Sequence, residues 1–544
     1  MKDQSNPRDS APESSARREL LRHSMYGAGL LAVSSIPWAA TAHAASSRHS
    51  VAPTKAGKIR GYVDNGVHVF KGVPYGADTS TRRYRPALPP VAWKGVRDTL
   101  EYGAACPQGD LADHTSEDCL FLNVWTPGLK EGAKRPVMFY IHGGEYSSGS
   151  GSSPIYGGTH LCRRGDVVVV TLNHRLNAFG HLYLARLGGA DYAASGNVGI
   201  LDLVQALTWV QDHIAGFGGD PGCVMVFGQS GGGAKIATMM AMPAARGLFH
   251  RAATMSGQQI TASGPRSATL RARSYLDALK IAPADVLKVN AADVASLVEA
   301  LRAPDATMVG RSLYFGPVLD EVSLPRHPFY PDAPPQSAGI PMIIGNTHDE
   351  TRAFLGNEPG VHNLNWTELP ERLLPQLLVD IDPEYVIAEY RRLYPQYSAT
   401  EVYFAATTAG RSWRGALIET ELRAAQGAPV YSYQLDYESP LDGGRYGAMH
   451  AMDIPLVFDN SAQPNSRTGT GADAQKTADQ MSDAFIAFAR TGNPNHAGLP
   501  QWRPYELSTR STMVFNAQSQ LVEDPRGAER RLFAKVPYIQ RGTY

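Results

Sequence analysis

The chain lacks any surplus of charge: across 544 residues, 51 lysines and arginines balance 51 aspartates and glutamates. No global field therefore draws in nucleic acid or an acidic membrane surface. Cysteine is scarce, with four residues. None has a C-x-x-C or histidine-rich neighbour, which excludes a cysteine-held metal centre. Beyond residue 44 there is no apolar run long enough to cross a bilayer. No glycine cluster is completed by Gly-Lys-Ser/Thr, so a phosphate-cradling loop is excluded too. The chain has no internal repeat. What is present is an ordinary hydrophobic fraction of 43% with 53 glycines and 38 prolines, the composition of a turn-rich globular enzyme.

The first segment is organised as an export signal. Ala16-Arg17-Arg18-Glu19-Leu20-Leu21-Arg22 resembles a twin-arginine motif, and a modestly apolar stretch from Met25 to Ala40 follows. Thr41-Ala42-His43-Ala44 then supplies small residues at A-x-A spacing. Residues 1–44 are accordingly expected to be a twin-arginine-type signal peptide, with 45–544 a single domain. The expected destination is periplasmic or secreted, without stable membrane association. Export makes disulfides possible. Cys106 and Cys119 bracket a short polar loop, and a crosslink there would contribute about 3 kcal/mol in the chain-entropy model. Cys162 and Cys223 lie in or beside apolar runs and are expected as buried free thiols.

Continuous apolar runs at 137–141, 167–172, 223–227, 341–344 and 429–433 suit buried parallel strands. Between them, Leu201 to Ile214 places Leu201, Val204, Leu207 and Val210 near one helical face. A late helix over 481–490 stops at Gly492-Asn493-Pro494. This alternation predicts an α/β fold with a mostly parallel central sheet and helices on both faces. Polar-surfaced, mostly helical stretches over 261–311 and 351–422 read as insertions over an active site.

The sharpest motif is Gly228-Gln229-Ser230-Gly231-Gly232, directly after the run Cys223 to Phe227. A G-x-S-x-G sequence between strand and helix marks a tight turn that lifts a serine hydroxyl out of the sheet. A serine alcohol needs a base, and the base needs an acid to hold its tautomer. After strand 341–344 comes Thr347-His348-Asp349-Glu350, where spacing leaves Asp349 and Glu350 as equal candidates for the acid. His450 follows a glycine-rich loop and precedes an apolar stretch, and fits the base better than His348, His362 or His496. Donors for a developing oxyanion are expected from the N–H of Gly231 and from His142-Gly143-Gly144-Glu145, which follows strand 137–141.

With these parts in place the chain resembles the type-B carboxylesterases, the carboxylesterase/cholinesterase branch of the α/β-hydrolase fold. The resemblance runs from about Ala52 onward. It rests on Phe70-Lys71-Gly72-Val73-Pro74-Tyr75, Ser116-Glu117-Asp118-Cys119-Leu120-Phe121-Leu122-Asn123-Val124, Asn173-His174-Arg175-Leu176-Asn177, Gly196-Asn197-Val198-Gly199 and the Ser230 turn. The resemblance implies a triad of Ser230, Glu350 and His450, and an oxyanion hole of Gly144, Glu145 and Gly231. It also supports pairing Cys106 with Cys119. No cofactor or metal is implied, and the partner is a small-molecule ester; nothing in the chain specifies an oligomeric state. The chain departs from the family pattern at Gly231, where Ala is usual, at Gln229, where Glu is common, and at Glu145, where a small residue is usual. A carboxylate facing an oxyanion would oppose it, so Glu145 is expected to turn toward a partner or to contact a cationic or hydroxylated part of a substrate. The loop between Cys106 and Cys119 contains no aromatic residue, which argues against a choline ester as main substrate. The expected activity is hydrolysis of carboxylic esters through an acyl-serine. Hydrolysis of amides, carbamates or lipid esters on the same triad, and a catalytically silent binding protein, are the alternatives.

Overall fold

Residues 49–109, 114–308 and 310–543 are described in a computed structural model. The expected signal segment, residues 1–44, lies outside them. Thirteen strands form one sheet: β1 (His49–Pro53), β2 (Lys58–Asp64), β3 (Val67–Pro74), β4 (Val96–Asp98), β5 (Phe121–Thr126), β6 (Arg135–Ile141), β7 (Val168–Leu172), β8 (Gly219–Gln229), β9 (Arg251–Met255), β10 (Met342–Thr347), β11 (Val430–Leu435), β12 (Ser511–Phe515) and β13 (Gln520–Glu523). The order is β1-β2-β3-β5-β7-β6-β8-β9-β10-β11-β12-β13, with β4 beside β2. From β7 through β12 every neighbouring pair is parallel. The flanking strands pair antiparallel, apart from β4 with β2. The five expected strands are β6, β7, β8, β10 and β11. The antiparallel margin escaped the sequence reading because its strands are half-buried or short.

Alternate side chains of the central strands enter two separate apolar layers, as the two-residue period of a strand requires. Val137, Phe139, Val224 and Val226 face one core, with Leu203 and Leu207 of α1 (Val198–His213) and Ile236 and Met240 of α2 (Gly231–Met240). Met138, Tyr140, Met225 and Phe227 face the other, with Met481, Phe485 and Phe488 of the long helix Ala472–Thr491. The buried stripe of α1 runs through Ile200, Leu203, Ala206, Leu207 and Val210. Leu201 and Val204, expected on that face, are only half-buried. A third apolar cluster lies within the insertion after β10, where Pro383–Leu393 and Ala399–Thr408 pack on Leu369, Leu373 and Phe533. Among the described residues no helix is long and apolar enough to cross a membrane.

The loop after β7 braces the region where the site forms. Arg175 is buried and pairs with Asp202 of α1, through Nη2 to Oδ1 at 2.6 Å and Nε to Oδ2 at 2.8 Å. Its Nη1 donates to the Arg85 carbonyl at 2.8 Å. Two residues on, the Asn177 N–H donates to the Tyr146 carbonyl at 2.6 Å, and its side-chain amide donates to Pro107 at 2.9 Å. The glycine-rich loop after β6 is thereby tied to the helix layer.

The expected Cys106–Cys119 bridge is not formed in this structure. All four cysteines are free thiols. Cys106 and Cys119 are buried with their side chains in hydrogen-bond contact, and Cys106 Sγ also accepts the Leu176 N–H at 3.3 Å. Neighbouring thiols satisfied in this way need no covalent bond to fill the space. Cys162 is buried and Cys223 half-buried.

Removing one partner of a buried, doubly bonded pair leaves the other charge uncompensated. Asp202→Ala is expected to cost about 3–5 kcal/mol of folding stability, read from the midpoint of urea denaturation.

Candidate active site

Ser230 ends β8 and begins α2 at φ 55° and ψ −126°, a backbone conformation that side-chain-bearing residues rarely hold. Its N–H donates to the Met255 carbonyl at 2.8 Å, which anchors the turn to the neighbouring strand β9. The flanking glycines answer to space. A Cβ on Gly232 would lie 2.0 Å from the Ile141 carbonyl oxygen. A Cβ on Gly231 would lie 2.2 Å from Glu145 O, 2.4 Å from its Cα and 2.5 Å from its N. The usual alanine after the serine therefore cannot be accommodated here without moving the β6 loop. The departures at Gly231 and Glu145 are two sides of one close contact.

That contact sets the backbone of Glu145 against Gly231, beside the serine. The loop is shaped by Gly144 at φ +86° and by Glu145 itself at φ +53°. The Glu145 carboxylate turns to a protein partner: Oε1 lies 3.3 Å from Arg541 Nη1 and the side chain is 54% exposed. Of the two orientations expected for Glu145, the structure takes the one with a protein partner.

The loops after β10 and β11 meet at the other side. Glu350 Oε2 receives a short hydrogen bond from His450 Nδ1, while Oε1 accepts the Thr347 N–H at 2.9 Å and the Asn346 amide at 3.1 Å. Glu350 is fully buried. Burial pushes its carboxyl upward, but the charge and hydrogen bond of His450 outweigh that and leave it below the usual carboxylate value. Asp349, its rival in the sequence, turns elsewhere. It pairs with Arg352 at 3.3 Å and accepts the Ala448 N–H at 3.0 Å. Only Glu350 touches the histidine.

Ser230 and His450 are neighbours through Gln229 rather than through a direct bond. His450 Nε2 is 3.0 Å from Gln229 Nε2. With the Nδ1 proton held toward Glu350, Nε2 carries a lone pair and accepts this amide N–H. Gln229 is buried, and its Oε1 sits over Gly143. The residue that stands where Glu is common thus donates to the imidazole nitrogen left free by Glu350, which a carboxylate could not do. Phe354 covers the ring, with centroids 4.7 Å apart.

Beneath the β6 loop lies a group for which no motif gave a signal. Lys235 of α2 is buried, and its Nζ donates to the His142 carbonyl at 3.2 Å. Loss of hydration pushes it down to about 7. Phe354, Arg411 and Arg541 also reach the site from inserted or distant segments with no recognisable spacing. Among the described residues no group of three or more His, Cys, Asp or Glu side chains could hold a metal ion.

A parallel sheet wrapped by helices, with a strained serine turn and a histidine–carboxylate pair at the strand ends, defines an α/β-hydrolase. The model of the carboxylesterase family matches residues 48–533, and the chain belongs to that family of carboxylic ester hydrolases. It is 34% identical to the para-nitrobenzyl esterase of Bacillus subtilis (strain 168), covering 89% of this chain and 98% of that one. It is 32% identical to the phenmedipham hydrolase of Pseudarthrobacter oxydans, covering 85% and 94%. The crystal structure of the Geobacillus stearothermophilus carboxylesterase EST55 superposes with a TM-score of 0.79 at 38% identity, over 88% of this chain and 99% of that one.

Gly231→Ala is expected to force the Glu145 backbone away. Overpacking of this kind costs about 1–3 kcal/mol, and displacing the backbone beside the serine is expected to lower kcat roughly 10²-fold. Thermal unfolding together with ester turnover reads both effects.

Proposed function

We propose that Ser230, His450 and Glu350 act as a catalytic triad that hydrolyses carboxylic esters through an acyl-serine intermediate. The observation that carries this reading is the Glu350–His450 hydrogen bond beside the Ser230 turn. Glu350 orients the imidazole and steadies its charged form. As substrate enters, His450 Nε2 exchanges the Gln229 amide for the Ser230 hydroxyl and takes its proton while Oγ attacks the ester carbonyl. The N–H groups of Gly144, Glu145 and Gly231 receive the oxyanion. His450 then protonates the departing alcohol, and a water molecule repeats the sequence on the acyl-serine to release the acid. The small-molecule ester is the only partner this chemistry requires.

Ser230→Ala and His450→Gln are each expected to lower kcat on a p-nitrophenyl ester by on the order of 10⁴ or more. Glu350→Gln should lower it by less. A fluorophosphonate should add its mass to Ser230 in the unaltered protein and not in Ser230→Ala. Full activity in Ser230→Ala would refute the assignment.

The reading extends to where the protein works. Residues 1–44 direct export by the twin-arginine route, and in an oxidising compartment Cys106 and Cys119 close a bridge, as their neighbouring thiols allow. Protein recovered from the periplasm or medium should begin near Ala45. In denaturant it should titrate two thiols without reductant and four after reduction. Four thiols throughout would remove the bridge.

A further inference from the structure

Two arginines from separate parts of the chain each stand one residue away from the reacting groups, Arg541 beside Glu145 and Arg411 beside Phe354, and a third interacts electrostatically with Arg541 and Glu145. Arg541 stands at one side, 3.3 Å from Glu145 on the loop that touches Gly231. Its segment is fastened down. Gln540 Oε1 accepts the Ile260 N–H at 3.1 Å, and the Gly542 carbonyl accepts from Ser263 Oγ at 2.6 Å and from Arg271 Nη1 at 2.7 Å. Arg411 stands at the other side. It lies on the π-helical turn Ala409–Trp413, a local widening of the helix that often marks functional sites. Its guanidinium carbon is 5.9 Å from the Phe354 ring, which in turn packs on His450. Arg411 Nη1 donates to Gln376 Oε1 at 2.8 Å. Arg311, half-buried, is the third.

These groups feel one another. Loss of hydration lowers both Arg311 and Arg411, Arg541 lowers both further, and Glu145 alone opposes it from the carboxylate side; Arg411 is left at about 10. Arg311 and Arg411 thus each feel both Arg541 and Glu145.

Structural arginines in this fold are compensated differently. Arg175, Arg271 and Arg526 are buried against Asp202, Asp305 and Glu529, and Arg423 donates to the carbonyls of Ser337 and Ile340. Among the described residues neither Arg311 nor Arg411 forms an ion pair with a carboxylate. Partly enclosed cations without a carboxylate partner are costly to hold unless something else supplies the anion.

We propose that the substrates are esters bearing a free carboxylate on the acyl or alcohol part, which Arg411, Arg311 and Arg541 receive while the ester carbonyl lies at Ser230. Guanidinium groups bind carboxylates through paired, charge-assisted hydrogen bonds, and so fix the ester's orientation as well as its affinity. The reaction is ordinary hydrolysis: water enters, the acyl–oxygen bond breaks, and the alcohol leaves with the proton from His450. Glu145 holds Arg541 in place until the substrate arrives. The proposal rests on the ester-hydrolase reading above and names its substrate class.

The test compares two esters of equal acyl length, p-nitrophenyl hydrogen glutarate and p-nitrophenyl valerate, with the full-length protein. The anionic ester is expected to show the higher kcat/KM, by roughly tenfold at low salt, with the advantage shrinking as ionic strength rises. Arg411→Gln, Arg541→Gln and Arg311→Gln should each lower the glutarate-to-valerate ratio several-fold, and Arg541→Lys should restore part of it. Arg311 and Arg541 are partly exposed, so their variants report on the ratio even if Arg411→Gln folds poorly. Turnover of the valerate ester with no gain for glutarate, or a ratio unmoved by all three glutamine variants, overturns this proposal alone. If neither ester is turned over and fluorophosphonate leaves Ser230 unlabelled, the ester-hydrolase reading fails and this proposal with it.

Discussion

The close approach of two backbones, Glu145 and Gly231, is the constraint on which the site depends. The room left by the missing side chain at 231 is filled by the main chain of residue 145. That packing holds the β6 loop against the serine turn, and it leaves the Glu145 side chain only the outward course that it takes to Arg541. Two substitutions that look independent along the chain are one steric fit in space. The same fit explains how a carboxylate can sit in this loop: its backbone lies against Gly231 while its charge is answered by Arg541.

Charge is handled by two separate rules in this molecule. Where it serves architecture it is paired at once, as Arg175 is by Asp202 under the loop that braces Tyr146. Where it surrounds the serine it is left open. Glu350 is held ionised in a fully buried place because His450 and the Asn346 amide answer it. The His450 nitrogen that Glu350 does not hold is met by the uncharged amide of Gln229. A site organised in this way keeps its acid–base pair ready and its serine turn strained before any substrate arrives.

Much of the fold was readable along the chain because a strand buried on both faces is a continuous apolar run. β6, β7, β8, β10 and β11 all have that form. The serine turn was readable for a related reason: only glycine tolerates such close backbone contact, so the requirement is written in residue identity at adjacent positions. The antiparallel margin was harder, since β1 and β2 alternate with half-exposed residues and β13 is nearly all exposed. The buried stripe of α1 was misplaced by a residue or two. Its neighbours, not its own periodicity, decide which of several apolar positions face inward.

The sequence by itself determined the central strands and the sharp turn at Ser230, because a strand buried on both faces is a continuous apolar run and close backbone contact demands glycine. Tertiary structure decided between Asp349 and Glu350, since only the meeting of two loops shows which carboxylate reaches an imidazole a hundred residues away. It also placed Gln229 on that imidazole, turned Glu145 to Arg541 and set Arg411 against Phe354. Forces of that kind act across space between segments with no fixed spacing, and so leave no pattern in the order of the residues.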